Sequence, residues 1–271
     1  EFARSFQSET DLDVWTVLSG CLASLDKLVE GEAKLQYQAV VRDLAQPALD
    51  RLGWEPSDSN SSRDLELRGL FIRLLANVGD DELALKNAVD LHDSYLVDAG
   101  SVEPNIAAAA TGIVASKGDS EEYEVFLDKH HNPSTPQEER RYQSALSAFP
   151  GEAEIDRTMA MTLDGTIRTQ DAPYLLAVCM RNKEQGFRAW EFVKSNWEQI
   201  NKDFPSNSIV RMLSGVTSLS KPDQAADVIA FFDDHKVPQG QLTLQQTLEK
   251  LRINVALRER ESVSFSDSLS I

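Results

Sequence analysis

The sequence predicts an all-α protein built as a stack of antiparallel helical hairpins. Apolar residues recur at three- and four-residue spacing in almost every segment, and no run alternates strictly enough to indicate a β-strand. Short polar loops containing Gly, Pro, Asn or Asp separate these segments. About a dozen short helices with short loops favour a curved, right-handed superhelical stack, in which each hairpin buries its apolar side against its neighbours.

The first half of the chain supplies the opening helices. Residues 11–30 carry an apolar pattern, and a second helix over 34–52 stops at Gly53, a residue type that tolerates the left-handed backbone of a helix end. The polar loop EPSDSNSSRD follows. Further helices are expected near 62–78, 81–98, 104–116 and 119–130, with the turns NVGDD, DAGSVEPN and SKGDS between them.

The second half continues the same pattern. Thr135 and Pro136 suit the cap and first turn of a helix, followed by helices in GEAEIDRTMAMTLDG and from Asp171 onward. The remaining helices are expected near 184–203, 206–218, 222–235 and 240–260. The spacing of three aromatic residues assigns them to the core: Trp190, Phe192 and Trp197.

These elements predict one helical domain over 1–260. No fixed-period repeat is visible, so a degenerate α-solenoid of the HEAT or ARM type is expected. The Ser-rich segment 261–271 shows no periodicity and is expected to be a disordered tail.

Charge and composition exclude several classes of partner. There are 44 Asp and Glu residues against 27 Lys and Arg, for a net charge of -17, which opposes binding to nucleic acid. No apolar run approaches the roughly 18 residues of a membrane span. The sequence starts at Glu1 without Met and without a secretory-signal pattern, which suggests a fragment of a longer protein. Cys21 and Cys179 lie in apolar helical patterns, so we expect buried free thiols and a reducing, cytoplasmic compartment.

Catalytic signatures are missing from the sequence. It contains no His-Glu-x-x-His, no Gly-x-Ser-x-Gly and no glycine-rich phosphate loop. The adjacent residues His130 and His131 point in two directions from a helix end, so they are not expected to chelate a metal as an i, i+4 pair does. We therefore expect no catalytic residue, metal or cofactor in this chain.

A polar quartet, Arg168-Thr169-Gln170-Asp171, opens an apolar helix and has two interpretations. In the first, Asp171 caps the helix beside Pro173, while Arg168 and Gln170 hold the preceding loop to neighbouring carbonyl groups. In the second, the guanidinium of Arg168 contacts a carboxylate of a partner. Arg211 is a further candidate, because it is expected near a helix start, where a cation needs a specific partner.

Several segments, taken in order, carry a family resemblance. They are RLGWEP, LELRGLFIRLLANVGDDELALKNA, IRTQD, RAWEFVKSNWEQI, IVRMLSGVTSLSKPDQAADVIAFFDDH and TLQQTLEKLRINVAL. In this order and spacing they resemble the C-terminal helical domain of the M1 family of zinc aminopeptidases, from about residue 15 to about residue 260.

The resemblance implies a division of labour. In that family a preceding catalytic domain binds zinc and hydrolyses the peptide, and the C-terminal domain caps it and encloses the substrate chamber. Arg168, Gln170 and Arg211 then become candidates for contact with the peptide or with the catalytic domain of the same polypeptide. Two alternatives stay open: a free-standing helical-repeat scaffold that binds a protein in its concave groove, and an enzyme with unrecognised chemistry.

Overall fold

The computed structural model of the chain describes residues 2–57 and 59–269. These residues form fourteen α-helices and four short 3₁₀ helices, and none of them forms a β-strand, which confirms the all-α class. The chain divides into two compact units. One runs to Ser116 and also includes the residues from Glu261, and the other is Lys117–Arg260. The single domain expected over 1–260 stays a prediction.

The first unit contains the helices closest to their predicted bounds. They are α1 (Leu12–Leu25), α2 (Gly31–Leu52), α3 (Ser62–Asn77), α4 (Glu82–Val97) and α5 (Pro104–Lys117). The 3₁₀ helices Phe2–Phe6 and Asp26–Leu28 flank α1.

The second unit contains shorter helices. They are α6 (Ser120–His131), α7 (Pro136–Leu146), α8 (Glu152–Ala160), α9 (Ala172–Cys179), α10 (Gly186–Ser195), α11 (Trp197–Asp203), α12 (Ser206–Met212) and α13 (Pro222–Asp234). The 3₁₀ helices Leu213–Ser218 and Pro238–Gly240 follow α12 and α13. A last helix, α14 (Gln241–Leu269), begins in this unit and ends in the first.

The core of the first unit lies around α3, which packs against α1, α2 and α4. Trp15 of α1 is fully buried and meets the edge of Phe71 of α3, with ring centroids 4.7 Å apart. The Trp15 indole N–H also donates to the carbonyl of Glu9 at 3.0 Å, which fixes the chain before α1. Helix burial is thus achieved between elements that are close in sequence, as expected for stacked hairpins.

A buried cation organises the loop after α2. Arg68 of α3 has no exposed surface, and its guanidinium donates to the carbonyls of Leu52 and Gly53 and to the side-chain oxygen of Asn60 at 2.8 to 2.9 Å. Burial lowers the pKa of Arg68. The hydrogen bonds satisfy carbonyl groups at the end of α2, which have no partner inside the helix itself.

The core of the second unit is aromatic. Phe126 packs edge-on against Tyr142 and Phe149. In a second cluster, Trp190 and Trp197 contact Phe231 and Phe232 of α13 in edge-on and tilted geometries. Trp190 and Trp197 are buried, so their predicted core positions are confirmed, and Phe192 is half-buried.

A polar contact accompanies this aromatic packing. The Trp190 indole N–H donates to the carboxylate of Asp227 at 2.6 Å, and Lys194 donates to both oxygens of the same carboxylate at 2.7 and 2.8 Å. Burial alone would raise the pKa of Asp227, but the hydrogen bonds from Lys194 and Trp190 outweigh it and lower that pKa.

Several predicted elements differ in the structure. The helix expected over 206–218 ends as α12 at Met212 and is followed by the 3₁₀ helix Leu213–Ser218. The helix expected over 184–203 is two helices, because Asn196 leaves the helical backbone and its side-chain amide donates to the carbonyl of Phe192 at 2.8 Å. The segment expected to be a disordered tail continues α14 to Leu269. Its half-buried positions are 261, 262, 265, 266 and 269, which lie on one side of a helix, and Phe265 packs on Tyr37 at 5.6 Å.

One thiol is also placed differently from its prediction. Cys179 is buried, and burial raises its pKa to about 12, whereas Cys21 is exposed on α1. The apolar pattern around Cys21 covers more than one side of the helix, and the part that includes Cys21 does not face the core. Within the described residues, none of the helices combines the length and apolar character that a bilayer crossing requires.

Candidate functional site

The polar quartet lies in the loop between α8 and α9, which a buried residue holds in place. Ile167 is buried and its N–H donates to the carbonyl of Met161 at 2.9 Å. Before it, Gly165 takes a φ of +92°, a left-handed value that favours glycine. The Asp164 carboxylate accepts from the Thr166 N–H at 2.8 Å, and hydrogen bonds from Thr166 lower the pKa of Asp164. The loop therefore presents Arg168 from a fixed backbone.

Arg168 contacts a carboxylate of its own unit. One nitrogen of its guanidinium lies 3.3 and 3.5 Å from the two carboxylate oxygens of Glu139 in α7. The Arg168 side chain stays 63% exposed, so the pair is a surface ion pair of the kind that stabilises a protein by about 0 to 1 kcal/mol. The contact links the loop to α7 and leaves most of the guanidinium in solvent.

Asp171 occupies the N-cap position of α9, but its side chain makes no capping hydrogen bond. The prediction of a side-chain cap is wrong for a local reason. A capping side chain accepts from the second or third N–H of the helix; the second residue here is Pro173, which has no N–H, and the third N–H, of Tyr174, already donates to the Asp171 carbonyl at 3.0 Å. The N–H of Ala172 donates to the Arg168 carbonyl at 2.9 Å.

Gln170 and Arg211 are both exposed. Arg211 was expected near a helix start, but α12 has seven residues and Arg211 lies in its last turn. A cation is favourable there, because the carbonyl end of a helix carries partial negative charge. The predicted position of Arg211 near a helix start is therefore wrong, and a contact role for its exposed side chain stays a prediction.

α9 packs closely on α12 and on the 3₁₀ helix Leu213–Ser218. A Cβ on Gly215 would come 2.7 Å from the carbonyl oxygen of Ala177, so only glycine fits this approach. Arg181, in the turn after α9, donates to the Ser214 hydroxyl of the 3₁₀ helix at 2.8 Å, and the Tyr174 side chain of α9 is exposed. The sequence pattern does not single out either residue, and helical spacing does not relate them, because α9 ends at Cys179 and Arg181 lies in the turn after it.

The adjacent residues His130 and His131 end α6 and differ in burial. His130 is buried at the end of α6, and its ring lies 5.4 Å from that of exposed His131. Burial is the main cause that lowers the pKa of His130. Within residues 2–57 and 59–269, no group of three or more His, Cys, Asp or Glu side chains is arranged to hold a metal ion.

The family resemblance of the helical segments was tested by comparing the chain with known protein families. The family model described as the ERAP1-like C-terminal domain matches residues 1–253. The chain belongs to this family. The resemblance to the C-terminal domain of M1 aminopeptidases is thereby confirmed.

Curated relatives of this ERAP1-like C-terminal domain are aminopeptidases. Aminopeptidase M1 of Arabidopsis thaliana is 30% identical over 98% of this chain and 31% of its own length. Alanine/arginine aminopeptidase of Saccharomyces cerevisiae is 25% identical over 96% of this chain and 31% of its own length. Endoplasmic reticulum aminopeptidase 2 of Bos taurus is 28% identical over 79% of this chain and 23% of its own length. The chain thus spans less than a third of the length of these relatives.

Proposed function

We propose that this domain caps the zinc-dependent catalytic domain of the same polypeptide, encloses the peptide chamber and contributes to peptide binding and access. The observation that supports this most is the family match over residues 1–253, together with relatives that are aminopeptidases and of which this chain corresponds to the C-terminal part. In this proposal the chain contributes no catalytic group, zinc belongs to the catalytic domain, and the polypeptide works in the cytoplasm.

The chamber side of the domain would include Arg168, Gln170 and Arg211. All three are exposed, and the ion pair between Arg168 and Glu139 is weak enough to exchange for another carboxylate. A guanidinium offers a planar set of donors that matches a carboxylate of a peptide or of the catalytic domain. Gln170 would add an amide that can both donate and accept.

Substitution in the full-length polypeptide tests this assignment. Arg168→Ala and Arg211→Ala are each expected to lower kcat/KM for a peptide by about tenfold, which corresponds to about 1.4 kcal/mol of lost transition-state binding. Arg63→Ala is the matched control, because Arg63 is an exposed arginine of α3 that pairs with Asp13 at 2.9 Å. The control should leave kcat/KM unchanged.

The same assay separates this function from a free-standing scaffold. The full-length polypeptide should hydrolyse an aminoacyl-aminomethylcoumarin, lose the activity to a chelator and regain it with zinc. No turnover in the presence of zinc would remove the aminopeptidase proposal. Turnover that is equal in Arg168→Ala, Arg211→Ala and Arg63→Ala would keep the enzyme and remove the role of the two arginines.

A further inference from the structure

The first helix has more apolar surface than its own unit covers. In α1, Trp15 and Leu22 are buried, while Val17 is 68% exposed and Cys21 is also exposed. Val14, Leu18 and Leu25 are half-buried. Scattered single apolar residues on a surface are ordinary, so the arrangement of these residues decides whether they matter.

Helix geometry places these residues together. At 3.6 residues per turn, Val14, Val17, Leu18, Cys21 and Leu25 fall within an arc of about 100°. We call these five residues the α1 outer face. Trp15 and Leu22 point to the neighbouring side, toward the core, and the remaining side carries residues such as Thr16 and Ala23. α1 is therefore apolar on two adjacent sides, of which its unit buries one and covers the other only in part.

The helix at the end of a stack normally has a polar solvent-exposed side, because an apolar exposed side would associate with other proteins. α6 follows that rule, with exposed Glu121, Glu124 and Asp128 beside its buried aromatic residues. The α1 outer face does not, although α1 is the first α-helix of its unit. Such a face is typical of a helix that another element covers.

We propose that the α1 outer face is the surface on which the preceding part of the same polypeptide docks. The inference rests on the proposed function. The chain spans less than a third of its relatives and corresponds to their C-terminal domain, so most of such a polypeptide precedes α1 and is available to cover it. The occupant is an apolar surface of that preceding part, because the α1 outer face offers it no charge.

The thiol of Cys21 provides a direct probe of whether the face is covered. Iodoacetamide labelling, followed by mass spectrometry of the α1 peptide, should be at least tenfold slower in the native full-length polypeptide than in the 271-residue chain. Cys179 is buried within the second unit and should label slowly in both. Ala23→Cys places a thiol on the opposite, exposed side of α1, and that thiol should react at the same rate in both proteins.

A pair of neighbouring substitutions completes the test. Val17→Lys puts a charge in the α1 outer face and should restore fast labelling of Cys21 in the full-length polypeptide. Thr16→Lys lies outside the face and should leave Cys21 protected. Both positions are exposed, so both variants of the 271-residue chain should keep the melting temperature of the unsubstituted chain.

Three results would overturn the inference. Equal labelling of Cys21 in the two proteins, with full aminopeptidase turnover in the same sample, removes the docking surface and leaves the proposed function standing. Protection that survives Val17→Lys also removes it. Protection that appears only at concentrations where sedimentation shows a dimer assigns the face to a second copy instead. Absence of aminopeptidase turnover is a failure of the proposed function, and the labelling rates then stand by themselves.

Discussion

At the scale of single residues, the first turn of α9 satisfies its backbone donors without a side chain. The N–H groups of Ala172 and Tyr174 donate to the carbonyls of Arg168 and Asp171, and Pro173 has no N–H. The position of Asp171 is that of a cap, but its carboxylate has no donor to accept from in this turn. The sequence pattern predicts that Asp171 lies at the N-cap position, but it does not show that backbone carbonyls already accept from the N–H groups of this turn.

Asp171→Ala should therefore cost less than about 0.5 kcal/mol of the free energy of unfolding, as expected for a surface substitution away from any capping contact. Thr135→Ala is the matched control. The Thr135 hydroxyl accepts from the Glu138 N–H at 3.1 Å at the start of α7, and its loss should cost about 1 kcal/mol. Urea unfolding of the 271-residue chain measures both. Equal losses would show that Asp171 does cap α9.

We expect His130 to make the stability of the domain depend on pH. Burial lowers its pKa in the folded state, so the unfolded chain binds the proton more readily. Stability is complete above the ordinary histidine pKa of about 6.5 and falls as the pH drops toward the lowered pKa. His130→Gln should flatten the loss of melting temperature between about pH 7.5 and pH 5.5. An unchanged loss in the variant would assign the pH dependence to other groups.

At the scale of elements, α9 and the 3₁₀ helix Leu213–Ser218 can approach closely because residue 215 is glycine and has no side chain. A Cβ at position 215 would meet the Ala177 carbonyl oxygen at 2.7 Å and the Met180 side chain at 2.9 Å. Since the first of these is backbone, the elements themselves would have to move. Gly215 therefore sets how closely α9 and this 3₁₀ helix approach each other.

Gly215→Ala should destabilise the chain by about 1–3 kcal/mol, the usual cost of an extra group in a packed interior. Gly112→Ala is the opposite case. Gly112 lies inside α5 with nothing within 4 Å of its added Cβ, so alanine should stabilise the chain by about 0.5–1 kcal/mol through its better helix propensity. Thermal unfolding of the two variants should shift in opposite directions, and a shift of the same sign would contradict the contact.

Helix positions were the most predictable feature of the elements. The spacing of apolar residues and the turns rich in Gly, Pro and Asp placed α2, α3 and α4 within a few residues of their bounds. The break at Asn196 was not predictable, because it depends on which carbonyl the Asn196 amide bonds to. The Ser-rich end of α14 was missed because its apolar residues are few and its partner, Tyr37, is distant in sequence.

The candidate site was less predictable than the helices. The polar quartet before an apolar helix singled out Arg168, which lies exposed in the loop before α9, and its role in contacting a partner stays a prediction. Its partner Glu139 lies 29 residues earlier, and nothing in the sequence pattern pairs the two. Arg211 and Cys21 were placed differently for similar reasons: the length of α12 and the covered side of α1 are both set by tertiary packing.

At the scale of the whole molecule, the observations that show the family of this chain do not show which reaction the complete polypeptide performs. The order of helical segments indicated the aminopeptidase C-terminal domain, and the match over residues 1–253 confirmed it. The chain's own side chains do not identify the reaction. The proposed role of the domain, to enclose the peptide chamber, is therefore tested by measuring the catalytic activity of the complete polypeptide.

The most direct measurement compares kcat/KM for a long peptide and for an aminoacyl-aminomethylcoumarin, in the full-length polypeptide and in one that ends before Glu1. Loss of the domain should lower kcat/KM for the peptide at least tenfold more than for the small substrate, and adding the 271-residue chain should restore part of the difference. Equal kcat/KM values for both substrates in a shortened polypeptide that melts cooperatively would contradict the proposal that this domain encloses and binds the peptide.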